Sequence, residues 1–184
     1  MRTRVSFWLL PAEEDRLIFE AIIARLAQTY DAPVFAPHVT LYSGEYAEHE
    51  DPGAILAQAI QGMGAVELMV DSIRTTSAFT KTLFVQFVPS EPLNTLSDRL
   101  RQLSATLSDY RLDPHLSLLY QHLLEADQQR AATAISLPQT QVSFDAVAGN
   151  VSPTPTRTRD DVERWEMRWC LSLLNSPDQD DGIV

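Results

Sequence analysis

Two short stretches decide how this chain reads: Pro37-His38-Val39-Thr40-Leu41 and, 77 residues later, Pro114-His115-Leu116-Ser117-Leu118. Each runs proline, histidine, apolar residue, hydroxyl residue, leucine. A histidine followed two places on by Ser or Thr is weak evidence alone, since two such matches among four histidines arise by chance in roughly one sequence in ten. The shared proline and leucine, and the equivalent places of the two stretches in a longer repeat, carry the pair well past coincidence. In an extended strand, residues i and i+2 point to the same face. His38 with Thr40, and His115 with Ser117, therefore each offer an imidazole and a hydroxyl to one side, while Val39, Leu41, Leu116 and Leu118 face a core.

Outward from these stretches the two halves follow one plan. A strand around Phe7 answers one around Phe84, and each is closed by a proline and acidic residues before a helix. In the first half, Pro11 and Glu13-Glu14-Asp15 suit a first helical turn, followed by an apolar stripe of Leu17, Ile18, Ala21, Ile22 and Leu26. A loop over 30–37 leads to the His38 strand. Asp51-Pro52 then starts a short helix with Ile55, Leu56, Ala59 and Ile60, and 65–73 reads as a strand.

The second half begins with a strand from Thr82 to Val88, and Leu93, Leu96, Leu100, Leu103 and Leu107 form one helical face. The strand at 115–120, a helix at 123–135 and a strand at 139–151 complete the copy. A Pro/Thr-rich loop at 152–159 joins a last strand at 162–174, and the polar tail 175–184 reads as disordered. The expected fold class is α+β, a single domain over 1–174 built as two pseudo-symmetric lobes, 1–81 and 82–174, from an internal duplication. Mainly antiparallel sheets would form a central cleft with helices outside, and the C-terminal strands could cross between lobes.

Composition narrows the partners. The 184 residues are 45% hydrophobic and 21% charged, as in one globular domain, and 14 Lys+Arg against 25 Asp+Glu give a net charge of −11. A binder of long RNA that works by counterion release is thereby disfavoured, and a small ligand is favoured. Lys81 is the single lysine, so Arg4, Arg74, Arg111 and Lys81 are the candidate phosphate contacts. The lone Cys170 cannot form an internal disulfide and reads as a buried, inert thiol. No Cys/His cluster has zinc-site spacing, and the apolar run near the N-terminus is too short to span a membrane. A cytoplasmic monomer with no membrane partner is the expectation. His49 and His122, which lack hydroxyl partners, read as solvated.

If the repeat packs with twofold symmetry, two imidazoles and two hydroxyls converge. Imidazoles with an ordinary pKa near 6.5 can act as base and acid at neutral pH, and hydroxyls can hold the non-bridging oxygens of a phosphate. Such a set can cleave a phosphodiester with neither metal nor cofactor.

The paired motifs resemble those of the two-histidine phosphoesterase superfamily. The wider strings Ser6-Phe7-Trp8-Leu9-Leu10-Pro11, Phe35-Ala36 before Pro37, Leu119-Tyr120 after Leu118, and Glu163-Arg164-Trp165-Glu166 are similar to plant-type cyclic phosphodiesterases, over roughly residues 4–174. The resemblance implies opening of 2′,3′-cyclic nucleotides to 2′-phosphates, or of ADP-ribose 1″,2″-cyclic phosphate to ADP-ribose 1″-phosphate. His38, Thr40, His115 and Ser117 would be catalytic. By analogy His115 is the base and His38 the acid, although the near-symmetry of the motifs leaves that assignment open. The resemblance also puts Tyr120 near the phosphate, which requires its strand to twist or end. Trp8 and Phe79 are the candidate base-stacking surfaces. Some eukaryotic relatives have further cysteines that this chain lacks, and 75–82 matches only loosely.

Other readings are an enzyme of RNA 2′,3′-cyclic ends or 2′-5′ linkages, a non-catalytic nucleotide-binding module, and a metallohydrolase with both histidines as ligands. The last lacks carboxylates at close spacing.

Overall fold

In the computed structural model, which describes residues 2–105, 108–153 and 155–173, every second residue of strand β1 (Arg2–Pro11) enters the core. Val5, Phe7 and Leu9 are buried there, and Arg4, Ser6 and Trp8 take the opposite face. Pro11 ends this strand beside Phe144 rather than opening the helix, and α1 (Glu13–Tyr30) starts after Ala12. The acidic first turn is as expected, with Asp15 reaching across to accept from the Ser143 N–H at 2.7 Å. The buried stripe of α1 is Phe19, Ile22, Ile23, Leu26 and Ala27, and Leu17 faces solvent. Spacing alone admits both stripes; packing on the sheet chooses the one containing the phenylalanine.

The chain continues through β2 (Val39–Ala47), α2 (Pro52–Ala59) and β3 (Val66–Thr75). Asp51 caps α2 by accepting from the Gly53 and Ala54 N–H groups at 3.0 and 3.1 Å. A 3₁₀ turn (Phe79–Lys81) precedes the second copy: β4 (Leu83–Phe87), α3 (Glu91–Leu103), β5 (His115–Leu119), α4 (Glu125–Thr133) and β6 (Gln141–Val151). Leu93, Leu96 and Leu100 of α3 are fully buried and Leu103 partly so. The helix ends there because Ser104 is extended and its hydroxyl turns back to the Leu100 carbonyl; Leu107 lies outside the described residues.

The expected final strand at 162–174 begins later. Residues 159–163 form the short helix α5 (Arg159–Glu163), started by a Thr158/Asp161 capping box, and β7 spans Glu166–Ser172. β7 pairs on one side only, with β6, so Cys170 is exposed rather than buried. Leu174 and the tail 175–184 lie outside the described residues. No helix among the described residues is long and apolar enough to cross a membrane.

All pairings are antiparallel, in one seven-stranded sheet ordered β1-β2-β5-β4-β3-β6-β7, with β1 also paired to β6. This closes a ring in which the third strand of each copy pairs with the first strand of the other. β3 lies on β4, and β6 on β1. The two histidine strands meet at one residue pair, Val39 with Leu116, which are themselves equivalent in the repeat. A pseudo-twofold axis thus passes between the motifs. The register also moves one equivalence: Trp8 pairs with Thr40 and Phe84 with Ser117, making Trp8, not Phe7, the counterpart of Phe84. Irregularities at Phe7/Trp8 and Leu83/Phe84 occupy matching places.

Candidate active site

The pseudo-axis brings the two motifs into one cleft of about 390 Å³, lined by His38, Thr40, His115 and Ser117. Each imidazole is held alike. Nδ1 of His38 donates to the Ala36 carbonyl and Nδ1 of His115 to the Asp113 carbonyl, both at 2.7 Å. A carbonyl can only accept, so each Nδ1 carries the proton and Nε2 is left as the chemically free atom of each neutral ring. The proline inside each motif fixes the extended backbone that brings the carbonyl two residues back onto the ring.

The surroundings of the two rings differ. His38 is 6% exposed and stacks face to face on Trp8, with centroids 3.8 Å apart and planes 15° from parallel. Burial drags its pKa down to about 4, against the backbone hydrogen bond that raises it, and the His115 charge lowers it further. His115 is also pushed below 6.5, chiefly by burial; its backbone hydrogen bond to Asp113 raises it, the Lys81 charge lowers it, and the Asp113 carboxylate, 3.7 Å from Nδ1, raises it. Lys81 bonds that carboxylate and lies over the Phe84 ring at 4.3 Å. Burial would raise the Asp113 pKa, yet hydrogen bonds from Lys81 and Gln86 hold it below the carboxylate range. The first motif has Ala36 where the second has Asp113, so only one histidine has a carboxylate beside it.

Among the other residues singled out from sequence, Tyr120 lines the cleft. β5 ends at Leu119, which releases Tyr120 from strand alternation, and its ring stacks on Phe35 at 3.9 Å. Burial holds its phenol well above the usual range, offset in part by a hydrogen bond with Ser117. Ser117 Oγ donates to the Thr80 carbonyl at 3.0 Å and must turn away from it to reach a phosphate. Trp8 lines the cleft with one face covered by His38. Phe79 flanks Tyr120 at 6.2 Å and His122 at 5.4 Å, beside the cleft rather than on its wall. Arg4 is on the wall; Arg74 is tied to Asp71 and Ser72, and Arg111 is exposed. His49 and His122 are exposed.

Sequence reasoning assigned no role to Trp165, which stands over the site with its centroid 5.3 Å from Trp8, 6.0 Å from His38 and 5.6 Å from Tyr120. Its signal was its place in the Glu163-to-Glu166 string. Asn150 and Asp113 were missed as well. Among the described residues no three His, Cys, Asp or Glu side chains converge as a metal site needs.

The fold has known counterparts. A cyclic phosphodiesterase of Arabidopsis thaliana is 25% identical over 163 residues, 88% of this chain and 90% of that protein. TT0787 of Thermus thermophilus superposes with a TM-score of 0.60 at 17% identity, over 94% of this chain and 99% of the other. LigT of E. coli in its apo form gives 0.59 at 18% identity, over 95% and 99%; it has also been solved complexed with 3′-AMP, NADP+ and ATP. The family model of cyclic phosphodiesterase-like proteins matches residues 1–167, and by that match, with the paired motifs facing one cleft, the chain is a phosphodiesterase of the cyclic phosphodiesterase-like family within the two-histidine phosphoesterases.

Proposed function

We propose that the cleft opens ribose cyclic phosphates by hydrolysis, converting 2′,3′-cyclic nucleotides to 2′-phosphates or ADP-ribose 1″,2″-cyclic phosphate to ADP-ribose 1″-phosphate. The observation that carries this reading is the pair of imidazoles whose protonated Nδ1 atoms are both tied to backbone carbonyls, across the pseudo-axis of one cleft. The nucleotides held by LigT support a nucleotide-sized ligand here, and the charge of −11 disfavours a long RNA.

The unequal surroundings support distinct roles. His38, buried and driven neutral, accepts a proton from water at Nε2 as the water oxygen attacks phosphorus. His115, the ring with a carboxylate 3.7 Å from its Nδ1, donates a proton from Nε2 to the 3′-oxygen as the P–O3′ bond breaks. One proton passes from water to His38 and one from His115 to the alcohol, and solvent restores both. This reverses the assignment that the resemblance suggests, in which His115 is the base. Thr40 and Ser117 hold the non-bridging oxygens as charge grows on them. Trp8 keeps His38 in place, and Tyr120 closes the apolar side with Trp165.

Turnover of 2′,3′-cyclic AMP with EDTA present, with the product resolved by chromatography, tests the reading. A 2′-phosphate product is expected; no product, or one that disappears with EDTA, contradicts it. An aryl phosphodiester, whose leaving group needs no proton, tests the roles. It should spare the His115→Ala variant and not His38→Ala, and the opposite ranking would restore the reverse assignment.

A further inference from the structure

Beyond the histidines the cleft continues along β1, and its far end is built of hydrogen-bond donors that the protein leaves unsatisfied. Arg4, Ser6 and Trp8 take alternate positions on the cleft face of β1. Ser6 is paired on one side with Ser43 of β2 and on the other with Asn150 of β6, which makes a polar row across three strands. Asn150 is 1% exposed and lines the cleft, yet its Nδ2 has no hydrogen-bond partner among the described residues. Arg4 Nε is likewise buried and unpartnered, while Nη2 of the same group rests 3.8 Å from Glu45. The Ser6 and Ser43 hydroxyls share one hydrogen bond of 2.9 Å, so one of their two protons is left to donate elsewhere.

A buried N–H without an acceptor is costly, and this wall holds two of them, on Arg4 and Asn150. A ligand that supplies the acceptors recovers that cost.

We propose that Arg4, Ser6, Ser43 and Asn150 form a second anion subsite, which receives a second phosphoryl group of the substrate. The proposal rests on the reading of this cleft as a cyclic phosphodiesterase site. The unpartnered atoms, Arg4 Nε and Asn150 Nδ2, are both donors, so the occupant is rich in acceptors, and the guanidinium selects an anion. At about 3.3 Å per residue, the Ser6–Asn150 row stands about 7 Å along the strand from the row of Trp8, on whose ring His38 stacks, and Arg4 about 13 Å. That separation suits a cyclic phosphate at one end of a ribose and a phosphoryl group on its 5′-oxygen at the other. Of the substrates proposed above, the subsite favours one whose ribose carries a 5′-phosphoryl or 5′-diphosphoryl group, as ADP-ribose cyclic phosphate does, over a bare nucleoside cyclic phosphate.

Titration calorimetry with the two corresponding products, adenosine 2′-phosphate and adenosine 2′,5′-bisphosphate, tests the subsite. The wild type should bind the bisphosphate at least about tenfold more tightly, the worth of one charge-assisted hydrogen bond. In Asn150→Asp, which keeps the shape and replaces the donor by an anion, and in Arg4→Gln, the ratio should fall towards one. Equal affinities in the wild type, or an undiminished ratio in both variants, would overturn the proposal. Turnover of 2′,3′-cyclic AMP by the same wild-type preparation separates the two readings. Turnover with equal affinities removes the subsite and leaves the phosphodiesterase; a preserved ratio without turnover keeps the subsite and removes the activity.

Discussion

His38 is the residue whose chemistry depends most on its packing. In the unfolded chain its pKa is the ordinary 6.5, and in the folded protein burial holds it at about 4. Between those values the unfolded state binds the proton and the folded state does not, so stability falls as pH drops from about 6.5 to about 4 and levels off below. The loss amounts to about 3 kcal/mol, and urea unfolding should show the wild type losing about that much more than His38→Gln over this window, since His115, also held below 6.5, contributes to both. Replacing Trp8 by Leu removes the indole stacked on the ring and lets water reach it. The His38 pKa then rises, and the acid limb of kcat/KM moves to higher pH; an unmoved limb would show that the stack does not set this pKa. His38 and His115, with their hydroxyl partners, were legible because each motif is contiguous. Asp113 sits only two residues from His115, but no pattern marks its carboxylate as near the ring. Asn150 and Trp165 reach the cleft through cross-strand register, which one-dimensional spacing does not contain.

At the scale of elements, the duplication was legible because each copy repeats strand, helix, strand, helix, strand with similar punctuation. A crossing of the C-terminal strands between lobes is among the expectations the sequence allows, but the mutual exchange of both third strands was not legible, since antiparallel pairing to either first strand satisfies the same apolar alternation. The matching irregularities at Phe7/Trp8 and Leu83/Phe84 explain why a fixed repeat length pairs Phe7 with Phe84, although the ladder makes Trp8 the counterpart. Apolar Val162 and Trp165 extend the expected last strand too far forward; Thr158 and Asp161 instead cap a helical turn there. β7 is held to β6 through a close approach at Gly149, where an added Cβ would stand 2.6 Å from the Trp169 ring. Gly149→Ala should therefore cost about 1–3 kcal/mol and shift the tryptophan emission as Trp169 moves, readable in thermal unfolding followed by fluorescence. An unchanged midpoint would mean that β7 relaxes freely.

Across the whole molecule, the net charge of −11 and the donors gathered in the cleft oppose each other. On the function proposed above, the charge disfavours long polyanions while the cleft takes a small one. Binding of an RNA oligonucleotide should stay weak at physiological salt while nucleotide binding persists, as parallel titrations would show. The central claim is that the pseudo-symmetric fold supplies two unequal imidazoles, one neutral and one charged, to a single phosphate. Because kcat/KM reports the free protein, both limbs of its pH profile should lie at or below 6.5, the acid limb near 4. The measurement that tests this most directly is kcat/KM for 2′,3′-cyclic AMP across pH, for the wild type, His38→Ala and His115→Ala. The account predicts a bell on the acidic side of neutrality, with each variant losing about 10²–10⁴ in rate and the limb belonging to the missing ring. A flat profile, or a variant that keeps full activity, would contradict it.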